Sequence, residues 1–379
     1  MVAITPLPPA LSAAPGRMAV LRLAAAAEGP ETVIVAGPLP RRGGAQDRFA
    51  VAGLQDGETT TLWAAAPGSA AVGRADLVAT ADGRALLLLP RRAIVRLDPH
   101  APAAEDRARL VARGPSLPVR VFAGGAGQDP VAVTLRAGGE VLLDRLDGGG
   151  RAHGRRAGPQ LQPGQAPSLV MPDAEGRLLF GADDPVRGFQ IWREGPEGWA
   201  HLVGDGAARF GQNAAILDAA LWRGEVVLAV GPSGTVRDNL LGMPIRGELV
   251  TIGPDGRIGM IAGELRPSPA GLLVPRIGAP ALRELAAEGF PRLAVQGDDL
   301  VAAVARGGDT VLWRFAQGGA NGPVAELPGV PLALSVGADG RIGALVVMPE
   351  PPVRAEEDEA EEPDDDDFAA FAAALGMRT

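Results

Sequence analysis

Gly253-Pro254-Asp255-Gly256-Arg257-Ile258-Gly259 returns, with one change, as Gly337-Ala338-Asp339-Gly340-Arg341-Ile342-Gly343. The copies begin 84 residues apart, or two steps of about 42. Related turns occur at Ala81-Asp82-Gly83-Arg84 and Ala174-Glu175-Gly176-Arg177, again near two steps from their neighbours. A second marker is an apolar strand carrying Trp: Thr61-Leu62-Trp63, Gln190-Ile191-Trp192-Arg193 and Val311-Leu312-Trp313-Arg314, each near three steps from the next. The Asp-Gly pair is expected to supply the positive φ of a two-residue hairpin turn.

Between the turns lie apolar runs of strand length. They fall at 17–23, 31–36, 48–54, 59–64, 84–90, 93–97, 117–122, 130–135 and 140–146, then at 177–180, 188–193, 199–203, 225–230, 248–252 and 257–261, and finally at 300–305, 310–315, 332–336 and 341–347. Parallel α/β folds need a helix between strands, and none of the required length separates these runs. Short strands, tight turns and a period near 42 together predict an all-β β-propeller. The expectation is six or seven four-stranded blades over 1–349, the ring closed by N-terminal strands joining the last blade.

Composition agrees and narrows the chemistry. Gly (53) and Pro (35) are abundant without a collagen period, while 46% hydrophobic residues leave room for a large core. With no Cys, a thiol nucleophile, a thiolate zinc cluster or a disulfide framework cannot form. With no Tyr there is no phenolic nucleophile, and because every basic residue is Arg there is no lysine Schiff base. Prolines at 6, 8, 9 and 15 break the first apolar stretch, so a secretory signal is not expected. No run approaches the ~18 apolar residues of a membrane span. A cytoplasmic protein is the expectation.

The formal net charge is −9, and ten acidic residues lie between Glu356 and Asp367. The acidity therefore belongs to the tail. The remaining body is close to neutral and offers no broad field to nucleic acid. Residues 350–367 read as an acidic, Pro-rich disordered linker. Phe368, Phe371 and Leu375 then share one helical face within 368–376, with Asp364–Asp367 at its N-terminal end and Gly376 at its C-cap. Such a helix is too short to persist alone in water, so it is expected to fold against a partner protein. Asp147–Gln165 reads as a flexible Gly/Arg loop, and 281–288 as a short inserted helix. The acidic run is expected to be drawn to Arg151, Arg155 and Arg156.

One stretch carries a family resemblance. Gly188-Phe189-Gln190-Ile191-Trp192-Arg193, Gly198-Trp199-Ala200-His201-Leu202-Val203, Gly211-Gln212-Asn213 and Leu221-Trp222-Arg223-Gly224-Glu225 follow in order. This resembles the blades of kelch-like and sialidase-like bacterial propellers. The resemblance implies the fold. Sialidase chemistry does not carry over, because its phenolic nucleophile is missing and the Ser-x-Asp-x-Gly-x-x-Trp box is not matched.

Candidate chemical groups are sparse. His100, His153 and His201 lack metal-ligand spacing, so no metal site is expected. Asp183-Asp184, Asp205, Asp218 and Asp238-Asn239 are candidates for a polar channel mouth, against a reading as turn and cap residues. No Gly-x-Ser-x-Gly elbow occurs, and neither Gly124-Gly125-Ala126-Gly127 nor Gly148-Gly149-Gly150 is expected to open a helix, so neither a catalytic residue nor a cofactor is assigned. Trp192 and Trp313 are expected to pack between blades. Trp199 and Trp222, with Arg151, Arg155 and Arg156, form a possible ligand surface. The leading functional expectation is a non-enzymatic scaffold with a docking helix. The alternatives are a channel enzyme of lactonase, lyase or hydrolase type and a lectin-like binder.

Overall fold

A computed structural model describes residues 2–6, 19–23, 32–39, 48–55, 58–64, 75–124, 127–184, 186–204, 214–232, 247–265, 292–306, 309–316, 322–336 and 340–347. The chain divides into units 1–348 and 349–379. The expected linker and helix, with Phe368, Phe371 and Leu375, lie outside the described residues. So do the helix read at 281–288, Asp205 and Asp238-Asn239.

The first unit is all β. Six four-stranded antiparallel sheets follow one another, each paired in simple sequence order. These blades 1 to 6 occupy 19–64, 76–113, 120–157, 166–203, 214–265 and 292–328. A seventh sheet has three strands, Val330–Val336, Ile342–Val347 and the N-terminal Val2–Pro6. Val2–Pro6 runs parallel to Ile342–Val347, with Val2 opposite Ile342 and Pro6 opposite Val346. The first strand of each blade touches the first strands of both neighbours, and Ala19–Leu23 touches Val330–Val336. The sheets therefore form a closed ring, a β-propeller.

Strand alternation explains why the sheets stack. In blade 2, Ala85–Leu89 is buried along its whole length. Leu87, Leu89 and Val95 pack against blade 1 with Ile34, Phe49 and Val51. Leu86, Leu88 and Ile94 pack on the opposite side, against Val121, Ala132 and Leu146 of blade 3. A period of two thus feeds two separate cores from one strand. The same arrangement joins blades 3 and 4 around Phe180, blades 4 and 5 around Phe189 and Leu228, and blades 5 and 6 around Leu300 and Phe315.

The Asp-Gly turns differ from the expected two-residue type. Thr80 N–H donates to Arg84 O at 2.9 Å and Gly83 N–H to Thr80 O at 3.1 Å. That pattern closes a three-residue loop, and only the glycine has positive φ, +80° at Gly83. Both central residues of the expected turn would need positive φ, which Asp82 does not adopt; a type I turn with a glycine bulge suits Asp-Gly better. The arginine folds back on the turn: Arg84 reaches Asp82, Arg177 reaches Asp173 and Glu175, and Arg257 reaches Asp255.

The two heptads also occupy different blade positions. Gly340-Arg341 sits between the first and second strands of the seventh sheet, as Gly83 and Gly176 do in blades 2 and 4. Gly256 instead sits between the third and outermost strands of blade 5. In a meander both hairpins emerge at the same end of the sheet, so both kinds of turn share one face of the ring. The spacing of 84 therefore joins two turns of one kind on one face of the ring, not the same turn two blades apart.

Asp147–Gln165 is not a loop throughout. Asp147–Arg151 is another glycine-bulge turn, and Ala152–Ala157 is the outermost strand of blade 3. Every residue of that strand is exposed, so it lacks the apolar alternation that marks inner strands. Charged residues on such an edge also discourage strand addition.

Gly256 gives a direct test of the packing. A Cβ on Gly256 would lie 2.4 Å from Leu202 O, whereas one on Gly83 would meet nothing within 4 Å. Gly83→Ala is expected to cost about 1–2 kcal/mol, from left-handed strain alone. Gly256→Ala adds the clash with blade 4 and is expected to cost about 1–3 kcal/mol more. Denaturant unfolding of both variants measures the difference, and equal losses would contradict the docking of this turn.

Candidate functional site: a cleft on the inner strands

The first strands of blades 3, 4 and 5 are Arg120–Phe122, Ala166–Pro172 and Ala214–Trp222. Together they line a cleft of about 480 Å³. Phe122, Leu169, Met171 and Ile216 give it an apolar wall; Arg120, Ser168 and Asp218 are its polar members. The volume alone falls in the range of small-molecule sites.

The charged members already have partners. Arg120 Nε donates to both carboxylate oxygens of Asp76, at 3.1 and 2.9 Å, and its Nη1 donates to Pro167 O at 2.8 Å. Val121 N–H donates to the same Asp76 carboxylate at 2.9 Å. One aspartate of blade 2 thereby fixes the start of blade 3, and the arginine it holds reaches on to blade 4. The arginine also lies over the Phe122 ring, 4.7 Å from its centre.

Asp218 repeats the arrangement between blades 5 and 6. Its Oδ2 accepts Leu293 N–H of blade 6 at 2.8 Å, and its Oδ1 accepts Ala219 N–H at 2.9 Å. Arg292, just before Leu293, adds a favourable charge and donates to Leu217 O at 3.4 Å. In both cases an aspartate on one first strand holds an Arg-apolar dipeptide opening the first strand of the next blade. Burial raises the Asp218 carboxyl above its ordinary value, and Arg292 and the two backbone donors only partly offset it. A third link has the same sense, with Ile216 N–H donating to Asp183 Oδ1 at 3.1 Å. Asp184 caps its own turn through Val186 and Arg187 N–H.

Ser168 falls where the pairing of blade 4 slips between Pro167 and Leu169. Among the described residues, its hydroxyl is buried without a hydrogen-bond partner.

The residues singled out from sequence lie elsewhere. Trp199 packs edge-on to Phe180 at 6.2 Å, in the core between blades 3 and 4, and its Nε1 donates to Ala157 O of blade 3 at 2.8 Å. Trp222 Nε1 donates to Asp298 O of blade 6 at 2.8 Å, with Arg223 over its ring. Each indole thus ties two blades together. Trp192 and Trp313 pack in the blade 3–4 and blade 5–6 cores. Arg155 pairs with Asp144 through two hydrogen bonds, and Arg156 pairs with Glu194 of blade 4. Arg151 is exposed, at the end of its turn. His153 faces Asp129 at 3.0 Å, and the His201 ring packs on Trp192. Among the described residues no group of three or more His, Asp or Glu is placed to hold a metal ion. Among them, too, no helix is long and apolar enough to cross a membrane.

Sequence reading missed the aspartate–arginine clasps. Their signal is present, since Asp76, Asp218 and Arg292 each interrupt an otherwise apolar segment.

Removing one partner tests the clasps. Asp76→Ala strands a largely buried guanidinium, 16% exposed, and is expected to cost about 3–5 kcal/mol. Asp218→Ala is expected to cost about 1–3 kcal/mol, and Asp218→Asn less, because the amide oxygen still accepts from Leu293. The pH dependence is also signed. The folded carboxyl binds its proton more tightly than the unfolded one, so Asp218 contributes most at low pH. That contribution falls as pH rises from 3.8 through the raised folded value. Asp218→Asn should flatten this part of a stability-versus-pH curve measured by denaturation.

No protein-family model and no curated protein matches the chain. Among solved structures, it is similar to virginiamycin B lyase from Staphylococcus aureus at 14% identity and TM-score 0.48, covering 86% of this chain and 90% of that one. It is similar to the β-propeller domain of the Trilobed protease from Pyrococcus furiosus at 8% identity and TM-score 0.46, covering 84% and 87%. A fucose-specific lectin from Aleuria aurantia is similar at 12% identity and TM-score 0.40, covering 82% and 95%. The strand order and ring contacts, rather than these likenesses, carry the fold assignment.

Proposed function

We propose that this chain is a non-enzymatic, cytoplasmic interaction scaffold. The ring of 1–349 is the rigid platform. The acidic stretch 350–367 is a leash, and 368–376 is a helix that docks a partner protein through Phe368, Phe371 and Leu375. One observation carries the reading. At the cleft on the inner strands, Arg120 and Asp218 are bound to the neighbouring blades, so these groups serve the ring. Catalysis at such a cleft would require a nucleophile or a proton carrier poised toward a substrate. The engaged indole N–H groups of Trp199 and Trp222 likewise weigh against a lectin-like use of those rings. A cysteine-free chain suits a reducing compartment.

The docking helix is tested by affinity capture with the full chain, a chain ending at 349, and a Phe368→Ala/Phe371→Ala variant. A partner held by the full chain should be lost from both others, because two buried aromatic anchors dominate so short an interface. Equal capture by all three would refute the docking role.

A further inference from the structure

Blade 2 carries an unusual pair on the side that faces blade 3. Arg96, in its third strand Ala93–Leu97, lies directly opposite Arg109 in its outermost strand Ala108–Arg113. Residues directly opposite share a face, with Cβ atoms about 5 Å apart, and like charges there are destabilising. Arg96 is also the cross-strand partner of Leu86, whose side chain packs toward blade 3. Arg96 is half-buried and its Nε is enclosed without an acceptor, while Arg109 is exposed. Among the described residues, neither guanidinium has a carboxylate partner.

The facing turn of blade 3 brings a third arginine to the same seam. A Cβ on Gly150 would lie 3.2 Å from Val111 and 3.3 Å from Leu86, so this turn rests on the strand that carries Arg109 and on the cross-strand neighbour of Arg96. Arg151 follows Gly150 and is exposed. Four carboxylates of the two blades are held by another arginine or by backbone donors. Asp82 and Asp98 share Arg84, Asp144 holds Arg155, and Asp147 accepts the N–H groups of Gly149 and Arg151.

We propose that Arg96, Arg109 and Arg151 form a binding site for a phosphate-bearing small molecule at the outer seam between blades 2 and 3. Oxygens of one phosphate accept from both guanidinium forks, which relieves the repulsion between Arg96 and Arg109. Arg96 is half-buried, so its guanidinium meets the ligand from a partly desolvated position. This site is separate from the cleft on the inner strands and does not depend on the docking helix.

The full chain is titrated calorimetrically with pyrophosphate and with inorganic phosphate, against chloride at matched ionic strength. Saturable binding is expected, tighter for pyrophosphate. Arg109→Gln should weaken it by about tenfold or more. Arg113 lies on the same strand opposite Ala93, which faces blade 1, so Arg113→Gln should leave binding within about twofold. Without ligand, Arg109→Gln should melt no lower than the parent, because it removes a like-charge contact; this separates lost binding from lost folding. Three results would overturn the site: no saturable binding by the parent, parent-like binding by Arg109→Gln, or equal weakening by Arg113→Gln.

Discussion

No blade of this ring encloses its own core. The middle strands are apolar on both faces, and each face finds its partner in a different neighbour. Leu87 and Leu86 are adjacent in sequence but belong to separate cores, one shared with blade 1 and one with blade 3. A lone blade would leave both faces in water. Each buried Leu, Val or Phe contributes about 1.5–3 kcal/mol, and nearly all of that comes from contacts between sheets. Stability is then a sum over interfaces around the ring, and a blade is stable only in company.

The first strands obey a second constraint. They crowd toward the axis and must fix how each blade follows the last. Hydrophobic contact is non-directional and sets spacing better than register. The aspartates supply direction. Asp76 holds both Arg120 and the N–H after it, and Asp218 holds the N–H after Arg292. A carboxylate aimed at one backbone donor admits little sliding. The same bonds leave the charged members of the cleft, Arg120 and Asp218, already in use. Trp199, on the outermost strand of blade 4, and Trp222, at the end of the first strand of blade 5, do equivalent work, each through its one N–H donor.

This division explains what the sequence reveals. Second and third strands of the blades stand out as apolar runs because both their faces are buried. The first strands Asp76–Ala79, Ala166–Pro172, Ala214–Trp222 and Arg292–Gln296 do not stand out, because Asp76, Ser168, Asp218 and Arg292 interrupt them. The outermost strands Ala108–Arg113, Ala152–Ala157 and Gly322–Pro328 are obscured for the opposite reason, being half or more exposed, with Arg, His, Pro or Glu breaking the apolar alternation. Turn glycines were legible as turns, since positive φ selects Gly locally, but not as blade positions. The possible ligand residues scatter for a similar reason: Trp and Arg report size and charge, while their partners lie a blade away in sequence.

The pairing of Val2–Pro6 with Ile342–Val347 sets an order of events during translation. Of the described strands, Val2–Pro6 leaves the ribosome before the others and must wait for Ile342–Val347. Until then the nascent chain is an open arc with two unsatisfied ends, offering apolar surface to chaperones or to a neighbouring polysome product. An arc of this kind can also close on a sister molecule by exchanging terminal strands, so crowding of nascent chains would favour intertwined dimers over single rings.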